Sequence, residues 1–365
     1  YGVGGMAEAG LTQLLVNTQS NEQGLRTAAE AQLRTLQEAN LASFLLQLSA
    51  ELAGEDKPLQ ARQLAGIILK NAVDARDRQR KIEVAQRWLT TVDDETKGAI
   101  KASLLGTLAS QAREAGRTVA QVIAKIAVIE MPHNQWPDLV QTLLRNVTEA
   151  SSSELLQTAT LQTLGYLCEE AYLSELDPSV LGSYSDQILT AVVSGMRHQG
   201  TSAEATDLCL AATTALLNAL DFVSQNFDRP QERNYIMETT CTATTNPDVR
   251  IRKTAFECLV QIAENYYDKL EQYITTLFDI TVNAIRSDEE PVALQAIEFW
   301  STIAEAESLL ADEASAASEM GQQPDKLSQE YAKQALQPLC PVIFECLMQQ
   351  EEDQEEDAWN KSTAA

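Results

Sequence analysis

Across 365 residues the chain sets 27 basic against 53 acidic side chains, a formal net charge of −26. That sign argues against nucleic acid and against an anionic membrane surface, since both are bound by Lys and Arg; its natural complement is a basic protein partner. A hydrophobic content of 44% is ample for a packed core. The six cysteines (Cys168, Cys209, Cys241, Cys258, Cys340 and Cys346) form no CxxC pair and read as buried thiols of a reducing compartment.

The chain opens on "YGVGG", which is set aside as a remnant of cloning (1–5). No secretory signal follows it. From Met6 onward apolar residues recur at three- and four-residue spacing, and alternating β-branched runs are missing, so the whole chain is expected to be helical. One type of helix returns along it: a small residue, an aliphatic or aromatic one four on, and an apolar one three further. It appears as Ala65, Leu69 and Ala72, then as Ala120, Ala124 and Ala127. The run "VIAKIAVI" in the second of these is too short to span a bilayer and is broken by Lys125. The pattern continues as Thr160, Leu164 and Leu167, as Ala212, Leu216 and Ala219, as Ala255, Leu259 and Ile262, and as Ala296, Trp300 and Ile303. Between them lies a second kind of helix: "LASFLLQLSAEL", "WPDLVQTLLRNV", "SDQILTAVVSGM", "ERNYIMETTCTA" and "YITTLFDITVNAI".

The intervals of roughly 40 to 55 residues lie near the HEAT and armadillo period of about 40 to 47. Each pair buries one face against its neighbours, and the small residues let helices approach closely. Short connections carry Pro, Asp and Asn as helix punctuation, as in "NPDV" and "SDEEP". The stretch "ADEASAASEMGQQPDKLSQ" (311–329) reads as an extended loop inside the last full repeat. The expected sum is about seven helix pairs plus one further helix, "YAKQALQPLCPVIFECLMQQ". The acidic run "EEDQEED" follows, at the turn of an unfinished eighth pair (360–365 being its truncated end).

Little in the sequence points to catalysis. His133 sits in a Pro-flanked turn and His198 near a helix end, both expected as surface loop residues, without the i, i+4 partner of a zinc helix. GxxxxGK[ST], GxGxxG and GxSxG are all missing. The pairs Glu169–Glu170 and Glu289–Glu290 read as solvated helix faces. The expectation is a binding scaffold, with no enzyme activity, cofactor or metal.

The segments "NQWPDLV", "LGYLCEE", "ILTAVVSGM", "ERNYIM", "VALQAIEFWSTI" and an acidic run ending in "DAWN" resemble the importin-β family of nuclear import karyopherins. The resemblance covers nearly all of the chain after Met6, in order. It implies a right-handed α-solenoid of HEAT repeats over 6–350, from the amino-terminal part of a longer protein. It also implies a monomer, found in cytoplasm and nucleus and at the nuclear pore, with three partners: Ran in its GTP state, FG-repeat nucleoporins, and the basic import helix of the importin-α adaptor. The last should hold weakly to this chain alone. Another HEAT or armadillo scaffold, such as an export karyopherin or a phosphatase regulatory subunit, is the alternative.

The family's sites carry over residue by residue. For nucleoporins (around 183–245) the matching residues are Leu189, Thr190 and Val193, facing Glu232, Tyr235 and Ile236. From the residues alone these are core positions; the resemblance implies a shallow surface groove for a phenylalanine ring, in which Ile236→Asp would leave melting nearly unchanged. For Ran the matches are Lys70 and Asn71, with the acidic loop (351–359) carrying Glu351, Glu352, Asp353, Glu355, Glu356 and Asp357. A Lys near a helix C-terminus is also favourable with the helix dipole alone. For the adaptor helix, Glu298 and Glu305 point the same way on one helix, and Trp359 would stack on a guanidinium or an aliphatic stem.

Overall fold

A computed structural model describes residues 4–149, 151–174, 177–324, 326–348 and 361–364. Every regular element among them is helical. The chain divides into two units, Tyr1–Ala215 and Leu216–Ala365.

The first unit opens with α1 (Gly4–Asn17) and α2 (Gln23–Ala39), then α3 (Leu41–Ala53) and α4 (Leu59–Val73). After α5 (Arg78–Thr91) come α6 (Asp94–Thr107) with α7 (Arg113–Glu130), and α8 (Leu139–Thr148) with α9 (Glu154–Leu173). The short α10 (Pro178–Gly182) leads to α11 (Ser185–Met196) and α12 (Ala203–Ala219), which runs across the boundary between units. The first helix of one pair packs on the first of the next, as α3 does on α6, and the second helices stack as α4, α7 and α9. The expected small residues and the apolar ones that follow them are here: Ala65, Leu69, Ala120, Ala124, Ala127, Thr160, Leu164 and Leu167 have no exposed surface. At Gly165 of α9 the approach is so close that an added Cβ would lie 3.1 Å from the backbone of Ala215.

In the second unit α13 (Ser224–Asp228) precedes α14 (Pro230–Ala243) with α15 (Val249–Asn265), and α16 (Ile274–Ser287) with α17 (Glu290–Glu319). Then come α18 (Tyr331–Leu347) and α19 (Lys361–Ala364). Again α15 packs on α17 and α16 on α18. Leu259 and Ile303 are fully or almost fully buried, and Trp300 donates its indole N–H to Thr281 at 2.9 Å.

Side-chain caps from Asn, Asp or Ser start several of the helices. Asn40 accepts from Ser43 N, Asp77 from Arg80 N, Asp93 from Thr96 N, Ser153 from Leu156 N and Asp248 from Arg250 N, all at 2.9–3.2 Å. Pro230 and Pro291 stand in the first turns of α14 and α17, where a missing N–H costs nothing.

Two features depart from the sequence expectation. Helix α5 is an insertion between pairs, anchored inward by Val84 and Trp88. The segment 311–319, expected as loop, continues α17 to a length of 30 residues. Its alanines and glutamates are good helix formers, and the first residue able to end it cheaply is Gly321, at φ +67°. There Gly321 N–H donates to Ser318 O at 3.0 Å and Gln322 N–H to Ala317 O at 2.8 Å, the paired bonds of a Schellman stop. Gly321→Ala should cost about 1 kcal/mol, because a Cβ is disfavoured in this left-handed conformation. Chemical denaturation of the two proteins checks it; identical midpoints would show that the stop does not depend on glycine.

Candidate functional site

The two histidines and two of the cysteines have these surroundings. His133 is exposed on a 3-10 turn. His198, in the loop just after α11, lies 2.9 Å from Glu154 at the start of α9, so this loop residue also ties down a neighbouring helix. Burial pushes the Cys241 thiol up to about 11 and Cys258 higher still, the reverse of an activated thiolate. Among the described residues no group of three or more His, Cys, Asp or Glu could hold a metal ion, and no helix is long and apolar enough to cross a membrane.

What the first unit presents instead is a polar seam along its stacked second helices. Lys70, in the last turn of α4, is half-buried and donates to Gln121 Oε1 of α7 at 3.0 Å. Arg117 of α7 donates to Tyr166 OH of α9 at 3.3 Å. Lys125 of α7 bridges Asp74, which follows α4, at 2.8 Å and Glu170 of α9 at 2.6 Å. Burial pulls the Lys125 pKa down, but the bonds from Asp74 and Glu170 outweigh it and hold it above the ordinary lysine value. Glu170 is therefore no solvated face residue; its neighbour Glu169 is exposed and is one. In the sequence Lys125 stands only as a break in an apolar run. A charge amid alanines on a buried helix was the available signal, since such a group needs a partner.

Near the end of α4, Asn71 is exposed and lines a cleft of about 410 Å³ with Gln37 of α2 and residues of α5. Lys70 is already engaged by Gln121; Asn71 presents its amide outward.

The six residues expected to hold a phenylalanine ring fall in both units. On α11, Leu189 is 5% and Val193 1% exposed. Thr190 is exposed, its hydroxyl donating to Asp186 O at 2.7 Å. On α14, Ile236 is 2% and Tyr235 45% exposed. Glu232 accepts from Asn226 at 2.6 Å and from Arg229 at 2.8 Å. Leu189, Val193 and Ile236 are thus buried, each within its own unit. An i, i+4 apolar pair serves core packing first, and it leaves Thr190, Tyr235 and Glu232 as the members that reach the surface.

Glu298 and Glu305 are both exposed on α17, two turns apart. Glu351, Glu352, Asp353, Glu355, Glu356, Asp357 and Trp359 lie outside the described residues.

This arrangement of stacked helix pairs has counterparts among known proteins. A family model described as the importin-beta N-terminal domain matches residues 29–110. Importin subunit beta-1 of Arabidopsis thaliana is 47% identical over 97% of this chain. The solved structure of yeast importin-β (Kap95p) superposes with a TM-score of 0.86, at 36% identity over 98% of the chain. The same yeast protein has been solved with Nup1 and with RanGDP, at TM-scores of 0.82 and 0.81 and 36% and 34% identity over 98% of this chain. The chain spans about 40% of the length of each of these proteins. With identity of this order extending through both units, and with the helix pairs in the same order, the chain belongs to the importin-β family.

Proposed function

We propose that the chain is the scaffold of a nuclear transport receptor, moving between cytoplasm and nucleus through the pore. It would bind Ran-GTP, FG-repeat nucleoporins and, weakly on its own, the basic import helix of the importin-α adaptor. The observation that carries this reading is the match over 97% of the chain to a beta-1 import receptor, together with the complexes of the yeast relative with Nup1 and Ran. The chemistry agrees. Exposed Glu298 and Glu305 and the acids between Glu351 and Asp357 suit basic partners, and a stacked-helix scaffold needs no catalytic group. Ran contact is assigned to Asn71 and Lys70 with the acidic run, and adaptor contact to Glu298, Glu305 and Trp359.

Ran-GTP should bind more tightly than Ran-GDP. In the yeast complex the receptor draws the switch loops of RanGDP into the GTP-bound conformation; the GDP form must then spend part of its binding free energy on that change. Calorimetry with both nucleotide states tests it, and equal affinities would sink the Ran assignment.

Neutralising the six acids between Glu351 and Asp357 to Gln or Asn should slow Ran-GTP association about tenfold at low salt. The difference should shrink near 0.15 M salt, where the Debye length is about 8 Å. Stopped-flow association across a salt series reads it. An unchanged on-rate at low ionic strength would reduce the run to a solvated linker.

A further inference from the structure

Helix α5 is the most basic element of an acidic chain. It carries Arg78, Arg80, Lys81 and Arg87 against the single acid Glu83, while the whole chain has 53 acids to 27 bases. Most bases around it are engaged: Lys81 bonds Ser174 at 3.0 Å, Lys97 bonds Leu89 O at 3.0 Å, and Lys101 bonds Glu130 at 2.8 Å. Arg80 and Arg87 are different. Both are exposed, and neither has an ion-pair partner among the described residues.

The two stand one turn before and one turn after Val84 and share the cleft of about 410 Å³ whose other wall is Gln37, Asn71 and Ala72. That volume is in the range of specific ligand clefts. The helix that carries them is held in place: Trp88 is 1% exposed and donates its indole N–H to Glu130 at 3.0 Å. Two acids, Asp77 and Glu83, also line the cleft, and neither forms an ion pair with Arg80 or Arg87 among the described residues. Asp77 accepts the backbone N–H of Arg80 as the helix cap, and Glu83 accepts weakly from Gln79 at 3.4 Å.

We propose that this cleft binds an extended acidic segment of a protein partner, with one carboxylate on Arg80 and a second on Arg87, and with the amides of Gln37 and Asn71 bonding its backbone. The guanidinium fork matches a carboxylate in two parallel bonds. Seven residues of helix separate the arginines by about 10.5 Å along the axis. A polyproline-type segment rises about 3.1 Å per residue and returns to the same face every third, so acids three apart are about 9.3 Å from each other. A long polyanion such as nucleic acid would meet the carboxylates of the surrounding chain; a short peptide with two acids meets only the cleft. The cleft shares Asn71 with the proposed Ran contact, and a peptide titrated without Ran tests the cleft by itself.

The test uses a dye-labelled peptide with a Glu-Pro-Pro-Glu centre and its Gln-Pro-Pro-Gln counterpart, titrated into the full chain at low salt. The glutamate peptide should bind and the glutamine peptide should not. Arg80→Gln and Arg87→Gln should each weaken binding about three- to tenfold. Glu83→Gln should tighten it, an effect that a purely structural role for these residues would not produce. Circular dichroism confirms that the variants fold. Equal binding of the two peptides, or no change in both arginine variants, would overturn the proposal, and so would a glutamate peptide that fails to bind.

Discussion

Lys101→Met should lower the unfolding free energy by about 3 kcal/mol, out of proportion to one side chain on the rim of a helix stack. The reason is Glu130 at the end of α7, whose side chain has no exposed surface. One of its oxygens accepts the Trp88 indole N–H at 3.0 Å and the other accepts the Lys101 ammonium at 2.8 Å. Lys101 also donates to Gln135 O at 3.0 Å and lies 5.2 Å from the Trp136 ring. The three helices α5, α6 and α7 and the turn after α7 therefore share one carboxylate. Removing the ammonium leaves that carboxylate charged and buried without a counter-ion, which costs far more than the pair contributes. Glu130→Gln should cost only about 1 kcal/mol: the amide still accepts from Trp88, and Lys101, 16% exposed, keeps Gln135 O and turns toward water. Combining the two changes should recover about 2 kcal/mol of the Lys101→Met loss. Denaturation midpoints of the four proteins give the coupling energy. Strictly additive losses would show that the charge is not held by this pair. Because repeat arrays can lose cooperativity, hydrogen exchange within α7 should accompany the midpoints.

The repeat architecture was legible because its signal is steric. A small residue at one position of each second helix, with apolar residues four and seven on, is what close helix approach demands, and Ala65, Ala120, Thr160, Ala255 and Ala296 are all fully buried. Helix α5 carries no such seat. Its inward contacts reduce to Val84 and Trp88, while Ile82 is 56% exposed, so its period is too faint to place it. The tail of α17 was missed for a related reason. "ADEASAASE" buries none of its side chains, and without an apolar stripe a helix of small residues reads like a linker although its propensity is high.

The site was legible only as far as the resemblance carried it. Which carboxylate of Glu169 and Glu170 meets Lys125 depends on one step of about 100° around α9 and on where α7 stands beside it. Neither quantity is present in a local pattern. The network of Trp88, Lys101 and Glu130 joins residues 29 and 42 positions apart. It becomes visible only when α5, α6 and α7 are packed. On α14 the difficulty is sharper, because an apolar residue beside another apolar residue can serve core or surface with the same spacing.

Ile236→Asp tests that distinction. Ile236 is 2% exposed and sits beside Met237 at 1% and one turn from Thr240, which is fully buried. A carboxylate there would be buried without a partner and would also lose the packing of the isoleucine, so stability should fall by about 3–5 kcal/mol. Melting followed by circular dichroism should show the second unit unfolding early, and any loss of FG-peptide binding should track that unfolding. Tyr235→Ala should behave in the opposite way. The ring is 45% exposed, so its removal should shift stability by no more than about 1 kcal/mol. If Tyr235 belongs to the nucleoporin surface, the same change should weaken an FG peptide several-fold, mainly through faster release. One phenylalanine ring buries little area, so the affinity expected of such a contact is weak and the comparison is best made by titration at high peptide concentration. A wild-type melting curve for Ile236→Asp, with peptide binding gone, would put that side chain on the surface and favour the open groove. A destabilised Ile236→Asp beside a stable, binding-deficient Tyr235→Ala would assign the core to the first residue and the contact to the second.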